Sequence, residues 1–319
     1  MILYTADWHI KLGQKNVPVQ WALNRYNLFF EQVYELEKEC ILHIIGGDLF
    51  DRLPNMEELE LYFTFIRGVE IPTIIYDGNH EATKKNKTFF TQLKQVTSYI
   101  NPLVQIIDSS YVDEYLGFGI LPYADLHRKD SIEKFNASQP LFTHVRGEIP
   151  PHVKPEVDLD RFEDFPIVFT GDLHSHSNSQ RNLVYPGSPM TTSFHRNVVK
   201  TGYMLIDELD WSWAWKEFEL PQLLRKTVSD QSNMIASGYH HTIYEVEGDM
   251  QELAGVKNSD LLDKKVVKRK SEASLIIDKD MSIQDELVEY LTYILELPET
   301  AIPDIIGTYN DYASKVEMG

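Results

Sequence analysis

Short apolar runs and amphipathic segments take turns along the first 220 residues. Residues 2–5, 41–45, 72–76, 141–143 and 167–170 read as buried strands, being apolar and rich in Ile, Val, Phe and Thr. Residues 19–39 and 56–67 carry apolar side chains at i, i+3 and i+4, the spacing of a helix with one buried face. Alternating β and α segments predict a sheet covered by helices. Each strand-like run ends in polar residues: Asp7-Trp8-His9, Gly47-Asp48, Gly78-Asn79-His80, His144 and Gly171-Asp172-Leu173-His174. Open α/β sheets place their ligands at such strand ends.

The texture changes near residue 211. Trp211, Trp213 and Trp215 alternate with Ser212 and Ala214 as an antiparallel strand would, and a polar stretch, 229–233, follows. Residues 241–246, 266–267 and 275–277 read as strands, and 283–297 as a helix with Leu287, Leu291 and Leu295 on one stripe. This organisation predicts three parts: a main domain over 1–220, a small α+β cap over 221–297, and a helical tail over 298–319. In the tail, Ile302, Ile305, Ile306, Tyr309 and Tyr312 recur at helical spacing, which suits docking either on the cap or on a partner.

Composition narrows the class. At 319 residues with 43% apolar and 25% charged residues, the chain reads as an ordinary folded protein without a membrane span. One cysteine, Cys40, excludes an internal disulfide and fits a reducing cytoplasm. The net charge of −19 argues against broad electrostatic binding of nucleic acid. Basic residues are nonetheless bunched at Lys84, Lys85 and Lys87, and at Lys264, Lys265, Lys268, Arg269 and Lys270.

The strand ends carry the chemistry. Asp7 and His9, two apart on a strand, share a face and can grip one ion. Asp48, behind Gly46-Gly47 at the end of an apolar strand, reads as a ligand or active-site acid, or as a helix N-cap. Asp77-Gly78-Asn79-His80-Glu81 is turn chemistry that also sets an amide beside an imidazole. His144 alone is ambiguous. His43, His127, His152, His195, His240 and His241 read as structural or surface residues, with His195 placed to reach a ligand.

Taken in order, D-x-H, GDLFD, GNHE, a lone His and G-x-x-H resemble the calcineurin-like metallophosphoesterase superfamily over residues 1–220. Tyr185-Pro186-Gly187-Ser188-Pro189, followed by Ser193-Phe194, resembles its SbcD-type nuclease branch, including phage recombination endonuclease subunits. The resemblance implies a layered β-sandwich flanked by helices, with a small α+β cap. It implies two divalent metal ions, manganese or magnesium: Asp7, His9, Asp48 and His174 around one, Asp48, Asn79 and His144 around the other. His80 would face the scissile phosphate, and Asp51 would orient it. The implied activity is metal-dependent exonuclease and endonuclease cleavage of DNA in recombination and double-strand-break processing. The implied partners are an SbcC-like ATPase and a second copy of the chain, in the host cytoplasm if the gene is a phage's. One position departs from the pattern. The family's last motif is G-H-x-H, and Asp172 stands where its first histidine belongs; either Asp172 ligates, or His174 and His176 form the pair. Two other readings stand beside the nuclease: a phosphoesterase acting on phosphoproteins or small esters, and a scaffold with a decayed site.

Overall fold

The computed structural model describes residues 1–84, 87–267, 281–295, 297–298 and 301–316. Two compact units divide the chain, Met1–Val246 with Lys257–Lys264, and Glu247–Val256 with Lys265–Gly319.

The first unit is built on two sheets. β1 (Ile2–Thr5), β2 (Leu42–Gly46), β3 (Thr73–Tyr76) and, beyond a small hairpin of β4 (Ala82–Lys84) and β5 (Lys87–Thr88), β6 (Val104–Ile107) run parallel. The second sheet takes β7 (Tyr111–Asp113), β8 (Phe118–Leu121), β9 (Leu141–His144), β10 (Val168–Gly171) and β11 (Leu183–Val184), in the order β11-β10-β9-β8-β7. β12 (Gly202–Ile206) and β13 (Trp213–Glu217) then extend the first sheet antiparallel, giving β13-β12-β1-β2-β3-β6.

Alternation along the strands assigns each side chain to a layer. Ile2, Tyr4, Ile44, Ile74 and Tyr76 point into a core shared with Phe118, Ile120, Phe142 and Phe169 of the second sheet. Their neighbours Leu3, Ile45, Ile75, Val104 and Ile106 point the other way, onto α1 (Val19–Glu37), α2 (Met56–Gly68) and α3 (Phe90–Ile100). Burial on both faces explains why these strands read as continuous apolar runs. The far face of the second sheet, with Leu121, Leu141, Val168 and Leu183, is covered by Leu126, Phe162 and Phe165 from loops and short turns. The expected layered sandwich is therefore the observed fold, with helices on one side and mostly irregular chain on the other.

α2 begins with a capping box in which Asn55 and Glu58 exchange hydrogen bonds, so its start is written into the sequence. The tryptophan strand forms as the alternation predicts, pairing Trp213, Ala214 and Trp215 with β12. The break expected at residue 220 falls later. β14 (Leu223–Val228) pairs in parallel with the first residues of β15 (His241–Gly248), Leu223 lies in the helix-side core, and His195 bridges to Leu224, so this stretch belongs to the first unit. β16 (Leu262–Val267) completes a three-stranded sheet. The strand expected at 275–277 lies outside the described residues.

The second unit contains α4 (Met250–Gly255), α5 (Ile283–Glu289) with a π-helical turn at Tyr290–Ile294, and α6 (Ile302–Val316). The helix expected over 283–297 thus ends in a wider turn, and the periodic tail is helical. Among the described residues no helix is long and apolar enough to cross a membrane.

Candidate metal centre

The site lies where β1, β2, β3, β9 and β10 end. Four of its residues, Asp7, His9, Asp48 and Asp172, have φ between 46° and 97°, a region L residues seldom enter. Such backbone persists only where surrounding structure enforces it, and it clusters at functional sites. Glycines make the turns possible. Gly47 itself has φ 82°, and a Cβ on Gly78 would run into the Asp48 carboxylate.

The side chains converge. Asp7, His9 and His174 form one group able to hold a cation; Asp7, Asp48 and His144 form a second; His9, Asp48 and His80 form a third, ligand atoms lying within 4.8 Å of one another in each. Asp48 joins two of the groups. Its Oδ2 lies 3.4 Å from His144 Nε2 and 3.7 Å from His9 Nε2, and His9 Nε2 is 3.0 Å from His174 Nε2. The Asn79 amide turns its oxygen towards His144 Nε2 at 3.1 Å. That oxygen also faces the Asp48 carboxylate; turning the amide over would set its nitrogen 3.0 Å from Asp48 Oδ2. The Asn79 side chain therefore lies within reach of both Asp48 and His144, and can present either end of its amide to them. Carboxylates, imidazoles and one amide oxygen are a donor set suited to divalent manganese or magnesium, so these residues fit the expected metals.

Electrostatics agree. Burial, with Asp48 adding to it, pushes the Asp7 carboxyl up to about 8 against the pull of His144. Burial likewise brings His9 down to about 3. It also acts to raise Asp48, but His144, His9 and His80 together outweigh it and hold that carboxyl low. For His144, burial opposes the charged form, and Asp48, Asp7 and Asp172 overcome it. Carboxylates this crowded need positive charge near them, which a divalent cation supplies.

His80 is more open than His9 and His144, its side chain 35% exposed. Its backbone N–H donates to Asp48 Oδ1 at 2.9 Å, and its Nδ1 lies 2.5 Å from the Asp51 carbonyl. A carbonyl only accepts, so Nδ1 carries the proton and Nε2 is left for a ligand or substrate. Asp51 therefore orients His80 through its backbone, which corrects the expectation of a carboxylate contact. The Asp51 carboxylate instead pairs with Lys11 at 2.7 Å and lies 3.7 Å from His9 Nδ1.

Asp172 is the second correction. Its carboxylate is held by Arg146, whose Nε and Nη2 approach it at 3.1 and 3.2 Å, and it joins none of the three groups. His176 does not join them either. Its Nδ1 meets the Tyr185 carbonyl at 2.7 Å, and its ring stacks on Trp215. Neither register of the last motif therefore delivers a further imidazole to the centre.

Two supports were not legible in the sequence. Glu81, fully buried, accepts backbone N–H bonds from Asp48 (2.9 Å), Gly78 (2.8 Å) and Phe50 (2.9 Å), fixing the loops that carry Asp48 and Asn79. Removing that carboxylate strands three buried donors, each worth roughly 1–3 kcal/mol. Glu81→Ala should therefore lower the free energy of urea unfolding by about 3 kcal/mol or more, and an unchanged midpoint would show that the loops hold without it. The Tyr-Pro-Gly-Ser-Pro segment is likewise a buttress. Ser188 donates through Oγ to the Asp7 carbonyl (2.7 Å), and its N–H donates to the His174 carbonyl (3.1 Å). Among the basic residues, Lys264 pairs with Glu245 at 2.9 Å, and Lys265 caps the Leu253 and Val256 carbonyls. Lys85, Lys268, Arg269 and Lys270 lie outside the described residues.

Two stacked sheets thus gather carboxylates and histidines able to hold a cation at their strand ends. The calcineurin-like phosphoesterase family pattern matches residues 1–159. A protein of Escherichia phage T5, named as a probable exonuclease subunit 1, is 38% identical over 322 residues, covering 98% of both chains. Two further viral proteins are named as phosphoesterases. Protein 244L of Invertebrate iridescent virus 6 is 25% identical over 60% of this chain and 71% of its own, and 078R of Invertebrate iridescent virus 3 is 25% identical over 68% and 69%. The chain belongs to the calcineurin-like phosphoesterase family.

Proposed function

We propose that the chain is a metal-dependent DNA phosphodiesterase, the nuclease subunit of an SbcD-type recombination and double-strand-break-processing complex in the host cytoplasm. The observation that carries this reading is the full-length likeness to a phage protein named as a probable exonuclease subunit, joined to a cluster of side chains able to hold a cation at the strand ends. Asp7, His9, Asp48 and His174 would hold one cation, and Asp48, Asn79 and His144 the other. Two manganese ions, or magnesium in their place, would neutralise the phosphate and lower the pKa of the attacking water. His80, its Nδ1–H fixed by the Asp51 carbonyl, would direct Nε2 at the phosphate and, as the doubly protonated imidazolium, give a hydrogen bond or its Nε2 proton to the leaving oxygen.

At a net charge of −19 the chain has little general attraction for DNA, so a partner is needed to hold the substrate. We assign that partner as an SbcC-like ATPase, binding residues 298–319 of a chain that works as a homodimer, and give residues 221–297 the contact with DNA. Deleting 298–319 should abolish co-purification with the ATPase and ATP-stimulated cutting, while weak metal-dependent cleavage persists. A truncated chain that still assembles would make the tail structural only.

The test of the activity itself compares a labelled DNA duplex with a chromogenic phosphomonoester, each with manganese and with magnesium. Cleavage of DNA well ahead of the monoester is expected. The reverse order would move the protein to small esters or phosphoproteins.

A further inference from the structure

Asp172 departs from the family's histidine, and the structure gives that departure a partner. Arg146 reaches both carboxylate oxygens, Nε to Oδ2 and Nη2 to Oδ1, in the forked geometry that is the strongest a carboxylate makes with a side chain. The pair borders the centre: Asp172 Oδ1 is 4.0 Å from His144 Nε2, and the Asp172 N–H donates to Asp7 Oδ1 at 3.0 Å. The carboxylate is only 6% exposed, while the Arg146 side chain is 40% exposed. Arg146 is anchored in its turn, its backbone N–H donating to Glu156 Oε1 at 2.9 Å while Glu156 Oε2 accepts from Tyr123 at 3.0 Å. A carboxylate engaged in this way gives one lone pair of each oxygen to the guanidinium and is held in place by it, so that Oδ1 stays 4.0 Å from His144 Nε2 and cannot swing further into the centre.

We propose that Arg146 is a positioning residue that locks Asp172 out of the metal centre, leaving the position beside Asp48, Asn79 and His144 a weaker, exchangeable cation site. The inference rests on the metal-dependent reading above. It gives the two cation positions unequal donor sets: Asp7, His9, Asp48 and His174 at one, and Asp48, Asn79 and His144 at the other, with only the shared Asp7 within reach of it besides. Occupancy of the second position then follows the free metal concentration, and the Arg146–Asp172 pair sets where that occupancy turns on.

The test is calorimetric titration of the purified chain with manganese, which reads binding and needs no DNA. Wild type should show a tight and a weak equivalent. Arg146→Ala frees the Asp172 carboxylate and should tighten the weak equivalent about tenfold, the scale on which groups behind metal ligands act; Arg146→Met, which keeps the stem of the side chain, serves if alanine unfolds the chain. Loss of the arginine's positive charge could tighten binding through space alone, so the same substitution is repeated in Asp172→Asn. The gain should vanish in that background. A gain of equal size there, or no gain in Arg146→Ala, would overturn the lock while leaving the metal centre standing. A chain that takes up no manganese would overturn the metal-dependent reading itself.

Discussion

Asp48→Asn is expected to abolish DNA cleavage and to cost the protein both metal ions together. Asparagine is the right substitution because Asp48 has φ 48°, a conformation that asparagine tolerates and alanine does not. The fold should therefore survive, and the effect should be chemical. Asp48 Oδ2 is the atom nearest to both sides of the centre, 3.4 Å from His144 Nε2 and 3.7 Å from His9 Nε2, while Oδ1 accepts the His80 N–H at 2.9 Å. An amide offers one oxygen and no charge, so it cannot serve two cations at once. The metal content of the dialysed variant, measured by plasma mass spectrometry, should fall well below that of the wild type. Retention of the full wild-type content would show that Asp48 does not bridge.

His80→Ala is expected to lower cleavage by roughly a hundred- to ten-thousandfold, the range that positioned acid–base groups contribute, with metal content unchanged. His80 lies near enough to His9 and Asp48 to be counted as a ligand on distance alone. Two observations favour the other role. Its Nε2 is 3.8 Å from Asp48 Oδ2, farther than either His144 or His9, and its ring is the more open to solvent. Nδ1 is committed to the Asp51 carbonyl, which holds the ring edge-on to His9 with centroids 4.7 Å apart. A His80→Ala protein that lost a metal equivalent would place His80 in the ligand set, and one that cut DNA at the wild-type rate would leave it no part in the chemistry.

Much of this architecture was legible because burial on both faces makes a strand a continuous apolar run, so that its polar end stands out. Asp7, His9, Asp48, Asn79, His80, His144 and His174 could each be placed at such an end, and the structure brings them together. Contacts made across the fold left no local signal. Arg146 gives no hint in the sequence that it meets Asp172, 26 residues on. Glu81 reads as the last letter of a turn motif, although it ties three backbone segments together. Asp51 meets His80 through its backbone carbonyl, because the Lys11 ammonium draws the carboxylate away, a contact that leaves no trace in the local sequence. The end of the first unit was masked in the same way. A change in texture near Trp211 marks only a change of exposure, whereas β14 is tied back by His195, far earlier in the chain.

On the proposed chemistry, these strand ends would hold two cations with Asp48 between them. Electron paramagnetic resonance of the purified chain at saturating manganese tests it most directly. The expected spectrum is that of an exchange-coupled pair of Mn(II) ions, collapsing to isolated ions or to none in Asp48→Asn. A wild-type spectrum showing only isolated, uncoupled Mn(II) at saturation would contradict it.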